Sequence, residues 1–213
     1  MAKIKMSKKS TSTDMTAMCD VAFLLLTFFI LTATAKLPEP IVVDTPSSTV
    51  QTKLPETDLS TLTIGKSDGK DAVFFGVKGK DVRVKTLELM AEQYKMTFTD
   101  QEKQQFALID EFGVPIEALK QILAMSGADR NKPNVQPGIP HDSINNQLKD
   151  WIYTARQANI AVADKELEFA IKGDANQQYP KIKQIMDILQ DQKINSFSLV
   201  TGLRAAPRPS ETK

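Results

Sequence analysis

One carboxylate lies in the most apolar part of the sequence. Asp20 is the single charged residue in the 21-residue run MTAMCDVAFLLLTFFILTATA, from Met15 to Ala35. As a helix, this run would be about 31 Å long, close to the roughly 30 Å thickness of a bilayer's hydrocarbon core. An ionisable group inside a membrane span is costly, so its presence indicates a functional site. Asp20 is therefore the first candidate functional residue.

Three threonines share a helix face with Asp20. Thr16, Asp20, Thr27 and Thr34 are four, seven and seven residues apart, which places them in one stripe along a helix. We expect the opposite surface to carry four large apolar side chains: Phe23, Leu25, Phe29 and Ile30. Threonine is tolerated in membrane helices because its hydroxyl can bond the helix backbone. A polar stripe nevertheless prefers protein or water over acyl chains, so we predict a partner helix on this face.

The apolar run fits a retained span or a cleaved signal peptide. Signal peptides also have a basic start and an apolar stretch, and Ala33-Thr34-Ala35 has the small-x-small form of a cleavage site. Asp20 favours the span. If Asp20 stayed in water, only about 22 Å of helix would remain beyond it, too little to cross the bilayer. Asp20 could otherwise reach the interface or cap the helix, although Asp14 is better placed as a cap at the helix start.

Flanking charges predict the orientation of the span. Four lysines precede it and Lys36 follows it closely; the four are Lys3, Lys5, Lys8 and Lys9. Because positive residues stay on the cytoplasmic side, we expect residues 1–14 in the cytoplasm and the rest of the chain beyond the membrane. Pro38 and Pro40 end the predicted transmembrane segment, 15–37.

Composition argues against several other functions. A formal net charge of +1 gives no electrostatic basis for nucleic-acid binding, and one cysteine with one histidine makes a zinc site improbable. A histidine-based triad could use only His141, and no nucleophile motif accompanies it. The Gly-Lys-Ser at 65–67 lacks the earlier glycine of a phosphate-binding loop. Asp110, Glu111 and Glu117 are expected to be solvated. We therefore predict no enzymatic activity, no metal and no cofactor.

The remaining chain predicts a soluble α+β domain. Residues 38–57 contain four prolines and predict an extended linker, in which Ile41-Val42-Val43 could pair as an added strand. The domain is expected at 58–203, beginning with two strands joined at Asp68-Gly69. A helical insertion is expected at about 85–160, where helical spacing first relates Val84, Leu87, Ala91 and Tyr94. A later helix capped by Ser143 is expected to have an apolar inner face formed by Ile144, Leu148, Trp151, Ile152 and Ala155. Residues 204–213 are expected to be a disordered tail.

The last part of the domain has a strand–helix–strand pattern. Leu167, Phe169 and Ile171 alternate as in a strand, and Pro180 suits the first turn of a helix. A final strand contains Phe197 and Leu199. Two strands joined by a helix are parallel neighbours with a right-handed crossover. The predicted fold is a small mixed sheet packed on helices.

Two segments resemble the ExbD/TolR family. TDMTAMCDVAFLLLTFFILT resembles its transmembrane signature, with Asp14 and Asp20 at the two acidic positions and Ala17 where the family usually has proline. ELEFAIKGDANQQYPKIKQIMDILQDQKINSFSLVTG resembles its closing strand–helix–strand, and IVVDTP…TKLPE resembles the segment after the membrane helix. The resemblance covers both ends of the chain and about two-thirds of its length.

The resemblance implies a non-enzymatic subunit of a proton-driven motor in the bacterial inner membrane, with its C-terminal domain in the periplasm. Asp20 would be the proton-carrying carboxylate, and Thr16, Thr27 and Thr34 would face a partner. The implied partners are a polytopic ExbB-like protein, a TonB-like energy transducer and a second copy of this chain. Two alternatives stay open. One is a TolR-like protein that binds peptidoglycan and maintains the envelope, and the other is a secreted binding domain whose residues 1–35 are removed.

Overall fold

The computed structural model of this chain describes residues 15–33, 39–41, 43–48, 53–142, 145–175 and 179–203. They belong to two compact units, Met1–Leu37 and Pro38–Lys213. The predictions for residues 1–14, Thr34, Ser143 and the tail lie outside the described residues. The first unit contains helix α1 (Met15–Thr32), and the second contains a mixed sheet with helices. The α+β class predicted from the sequence is confirmed.

The second unit alternates strands and helices. Its elements are, in chain order, β1 (Ser47–Ser48), β2 (Leu59–Ser67), β3 (Lys70–Val77), α2 (Lys80–Gln93), α3 (Asp100–Ala107), β4 (Glu111–Phe112), α4 (Ile116–Ala124), α5 (Gly127–Arg130), α6 (Gln147–Ala163), β5 (Glu168–Gly173), α7 (Tyr179–Asp191), β6 (Ser198–Val200) and β7 (Gly202–Leu203).

The main sheet has five strands in the order β4-β3-β2-β5-β6. β3 is antiparallel to both β2 and β4, whereas β5 is parallel to both β2 and β6. β1 and β7 form a separate parallel pair. The parallel β5–β6 pair, joined through α7, is the arrangement that the strand–helix–strand pattern predicts.

The hairpin between β2 and β3 turns at the predicted Asp68-Gly69. Ser67 pairs with Lys70, which leaves a two-residue loop. Both loop residues have positive φ, 52° at Asp68 and 72° at Gly69. Such a turn matches the right-handed twist of the flanking strands, which is why Asp-Gly is a strong hairpin signal.

One face of the sheet packs against the helices. Leu62, Ile64 and Phe75 point from β2 and β3 into a core that also contains buried residues of α2, α3, α4, α6 and α7. At its centre the Trp151 ring of α6 is fully buried, with ring centroids at 4.9 Å from Phe112 and 6.0 Å from Phe106. This aromatic cluster joins the region between β3 and β5 to the sheet.

The predicted helical insertion also contributes a strand. Residues 85–160 are mainly helical, but β4 lies within them and pairs with β3 through Phe75 and Phe112. The N-cap of α6 is Asn146, whose side chain accepts a hydrogen bond from Lys149 N. The sequence had indicated Ser143 for this cap.

We expect Phe112→Ala to destabilise the second unit, which we call the soluble unit, by about 3–5 kcal/mol, because the substitution removes a buried ring that packs against Trp151. Trp151 is the chain's one tryptophan, so denaturant unfolding can be followed by its fluorescence. Leu108→Ala is the matched control: Leu108 is 64% exposed, and the expected change is within about 0.5 kcal/mol. Equal effects of the two substitutions would contradict the aromatic core.

Candidate functional site

Asp20 lies inside a regular α-helix that could cross a membrane. α1 has 18 residues, so its length is about 27 Å at 1.5 Å per residue. None of these residues is buried within the chain. Among the described residues, it is the one helix long and apolar enough to span a bilayer. Asp20 is the sixth residue of α1, more than a turn from either end. Asp20 is exposed among the described residues, which leaves its surface available to lipid or a partner.

The regular helix places Thr16 one turn before Asp20 and Thr27 two turns after it, as predicted. Phe23, however, follows Asp20 by three residues and precedes Thr27 by four, so it lies within the stripe. The prediction that Phe23 lies on the opposite surface was therefore wrong. The same prediction for Ile30 was also wrong, because Ile30 follows Thr27 by three residues and lies beside it. Leu25 and Phe29 do lie opposite. The polar face is thus a row of small polar residues interrupted by large apolar ones.

Threonine hydroxyls of α1 bond the helix backbone. Thr27 Oγ1 donates to the Leu24 carbonyl at 3.0 Å, and Thr32 Oγ1 donates to the Phe28 carbonyl at 2.7 Å. These bonds satisfy the hydroxyl hydrogens in an apolar medium and leave each oxygen able to accept. The face that contains Asp20 therefore carries one carboxyl group and, at Thr27 Oγ1, a hydrogen-bond acceptor.

The described part of the second unit carries no cluster of metal ligands. Within the described ranges, no group of three His, Cys, Asp or Glu residues could hold a metal ion. An open groove of about 590 Å³ lies between the β2–β3 turn and residues 137–142. Its lining carries Lys70, Lys181, Asp71, Asp142 and His141. Because two lysines face two aspartates, this groove favours neither anions nor cations.

The acidic residues 110, 111 and 117 do not form the solvated group that the sequence predicted. Asp110 pairs with the buried Arg83, whose Nε and Nη1 also donate to the carbonyls of Val77 (2.7 Å) and Ala107 (2.6 Å). Glu117 is exposed and accepts hydrogen bonds from Gln147 Nε2. Glu111 is the clear exception, because its Oε1 is buried without a hydrogen-bond partner among the described residues.

Burial raises the pKa of Glu111 from 4.5 to about 7. The Thr63 hydroxyl and the Lys172 ammonium lower this pKa, while the carboxylates of Glu39 and Asp110 raise it. All of these groups except Asp110 are contributed by other segments of the chain. The sequence carried no signal for this cluster, because it forms only when β2, β4, β5 and the linker come together.

We name residues 39–41 and 43–48 the docked linker, because its first residues pack on the sheet face opposite the helices. Lys172 forms an ion pair with Glu39. Val43 is buried, and the Asp44 carbonyl accepts from Ala175 N at 2.7 Å. Gly65 lies beneath the linker: a Cβ there would be 2.7 Å from Ile41 Cδ1 and 2.8 Å from Val43 Cγ1. The added-strand hypothesis for residues 41–43 concerns a dimer or a partner, and Val42 lies outside the described residues, so it stays a prediction. Within this chain the linker pairs through its strand β1 with β7.

Comparison with known proteins identifies one family. The family model described as "Biopolymer transport protein ExbD/TolR" matches residues 6–203. No curated protein and no solved structure matches the chain. The match includes α1 and Asp20 as well as the soluble unit, so it is not limited to either.

We expect the free energy of unfolding to fall as pH rises from about 4.5 to about 7. Because the folded state holds the Glu111 proton more tightly than the unfolded state, the unfolded state binds fewer protons in this window. The slope contributed by Glu111 is up to about 1.4 kcal/mol per pH unit. Denaturant unfolding at several pH values should show this slope in the unsubstituted protein and its loss in Glu111→Gln.

The matched control for this measurement is Glu168→Gln, since Glu168 is an exposed glutamate on β5. It should keep the slope of the unsubstituted protein. If Glu111→Gln also kept that slope, the raised pKa of Glu111 would be wrong.

Proposed function

Because the chain belongs to the ExbD/TolR family of biopolymer transport proteins, we propose that it is a subunit of an inner-membrane proton-driven motor in which Asp20 carries the proton. The observation that supports this most directly is the position of Asp20 as the one ionisable residue with a carboxyl group in a helix long enough to span a bilayer. The family match begins at residue 6 and includes this helix, which favours a retained span over a cleaved signal peptide.

The proposed mechanism uses the two states of one carboxyl group. A protonated Asp20 is neutral and tolerates hydrocarbon, whereas an ionised Asp20 requires a wet or polar partner surface. Alternation between these surroundings would load and release a proton while α1 moves against its partner. Each charge that crosses the membrane supplies about 2.3 kcal/mol per 100 mV of potential. The interrupted polar face supports a partner that contacts Thr16 and Thr27 while accommodating Phe23.

The proposed partners are those that family membership implies. A single helix cannot enclose a proton path, which supports a polytopic ExbB-like protein around α1. A TonB-like transducer would carry the energy to outer-membrane transport, and a second copy of this chain would complete the complex. The alternative is a TolR-like role in which the soluble unit binds peptidoglycan and maintains the envelope. Family membership is compatible with both roles.

We expect Asp20→Asn to assemble with the polytopic partner and to abolish energised outer-membrane uptake, because asparagine cannot exchange a proton. Co-purification in mild detergent measures assembly, and uptake in cells carrying the variant as their only copy measures function. Asp100→Asn is the control, because it makes the same chemical change at a side chain that is 97% exposed in the soluble unit. Full uptake by Asp20→Asn would exclude the proton-carrier role.

The same cells distinguish the two family roles. Loss of uptake with normal resistance to detergents supports the TonB-linked role. Sensitivity to detergents with normal uptake would instead support the TolR-like role in envelope maintenance.

We further propose that residues 1–14 are cytoplasmic and that the soluble unit is periplasmic. Ser7→Cys and Asp100→Cys, each in a Cys19→Ala background, test this with a membrane-impermeant thiol reagent on spheroplasts. We expect labelling at position 100 in intact spheroplasts and at position 7 only after lysis. An intact mass beginning at Lys36 would contradict the retained span, and labelling of position 7 before lysis would contradict the orientation.

A further inference from the structure

A cluster of three ionisable residues lies in the soluble unit. It comprises Glu111 on β4, Lys172 on β5 and Glu39 in the docked linker. Lys172 is opposite Thr63 in the β2–β5 register, so it lies on the sheet face away from the helical core. Glu111 Oε1 and Thr63 Oγ1 are both buried there, and the Thr63 hydroxyl lowers the pKa of Glu111 although neither atom has a hydrogen bond of good geometry in the described part of the chain. The Lys172 ammonium pairs with Glu39 and also lowers the pKa of Glu111, so one ammonium acts on two carboxyl groups.

The docked linker depends on this cluster at its first described residue. Glu39 is held by Lys172, and the linker then packs over Gly65 before it pairs with β7. The Asp44 and Pro46 carbonyls accept hydrogen bonds from Ala175 N and Gly202 N, at 2.7 and 2.9 Å. These two amides therefore report whether the linker is docked. Glu39 follows Thr32, the last residue of α1, by only seven positions.

We propose that Glu111, Lys172 and Glu39 form a proton-binding site, separate from Asp20, whose occupancy controls the docking of residues 39–41 and 43–48, the docked linker, on the sheet. When Glu111 is protonated, Lys172 has Glu39 as its carboxylate partner and the linker stays docked. When Glu111 is ionised, it competes for Lys172 and repels the Glu39 carboxylate. The linker is then released. The role proposed for Asp20 is not needed for this inference.

The direction of the pH effect follows from the groups around Glu111. In the docked state, Glu39 and Asp110 carboxylates raise the pKa of Glu111, while Lys172 and the Thr63 hydroxyl lower it. Release of the linker removes Glu39 and frees Lys172 to pair with Glu111, and both changes lower the pKa. The docked state therefore binds the proton more tightly. By linkage, docking is favoured at acidic pH and weakens as pH rises through about 7.

Hydrogen exchange of the full chain in detergent micelles tests this proposal. The measured quantity is the protection of the Ala175 and Gly202 amides, relative to amides in the β2–β3 hairpin, between pH 4.5 and 8, which includes the range from the ordinary glutamate pKa to the raised one. We expect this relative protection to fall with pH by about tenfold for each unit by which docking raises the pKa of Glu111. The hairpin reference separates local release from global unfolding.

Three variants complete the test. Glu111→Gln should remove the pH dependence, whereas Glu168→Gln, on an exposed glutamate of β5, should keep it. Gly65→Val should lower the protection of both amides at every pH, because its side chain would collide with Ile41 and Val43. The proposal is overturned if the relative protection does not change with pH, if Glu111→Gln changes with pH as the unsubstituted chain does, or if Gly65→Val stays fully protected.

Discussion

The two-residue alternation of side chains along β2 is the constraint on which the soluble unit depends. Leu62 and Ile64 enter the helical core, so Thr63 and Gly65 must lie on the other face. The pairing of β2 with β3 and β5 imposes the same division on both neighbours. A shift of one residue in either register would move the core side chains to the linker face and place Thr63 and Gly65 in the helical core. The opposite face then receives the linker over Gly65.

The two carboxyl groups that we propose to exchange protons differ in what surrounds them. Asp20 lies on α1, which has no buried residue of its own, so in our proposal its surroundings come from the membrane and a partner. Glu111 depends on tertiary structure, because strands and linker surround it within one folded unit. A buried carboxyl near neutrality is sensitive to small changes among its neighbours, since each pKa unit corresponds to about 1.4 kcal/mol. The docked linker supplies one of those neighbours.

Short sequence patterns predicted the elements whose conformation depends mainly on neighbouring residues. Asp68-Gly69 specified the hairpin, and the stripe through Trp151 predicted the buried face of α6. The face of α2 was less predictable: Val84 and Ala91 matched helical spacing but are half-buried, while Val82 and Met90 lie in the core. Several helical stripes were compatible with that segment, and only its packing against α3 and α6 selects one of them.

Features that depend on distant pairing had no signal in the sequence. β4 has two residues, too few to show alternation, and its position follows from Phe112 meeting Phe75 and Trp151. The burial of Glu111 follows from the same pairing. Leu199 alternates like a core residue yet is 61% exposed, because its strand lies at the end of the sheet order. In α1, by contrast, spacing alone was sufficient to place Asp20 and Thr27 on one face.

The difference in length between two of the parallel strand pairs, β1–β7 and β2–β5, also has a mechanical consequence. β1 and β7 are joined by two residue pairs, whereas β2 and β5 are joined by six. Tension applied along the chain at residue 39 reaches the Glu39–Lys172 pair and the β1–β7 ladder before it reaches β2. We therefore expect the shorter β1–β7 ladder to separate first. Its separation lengthens the extended segment before β2 by several residues, while the five-stranded sheet remains intact under the same load.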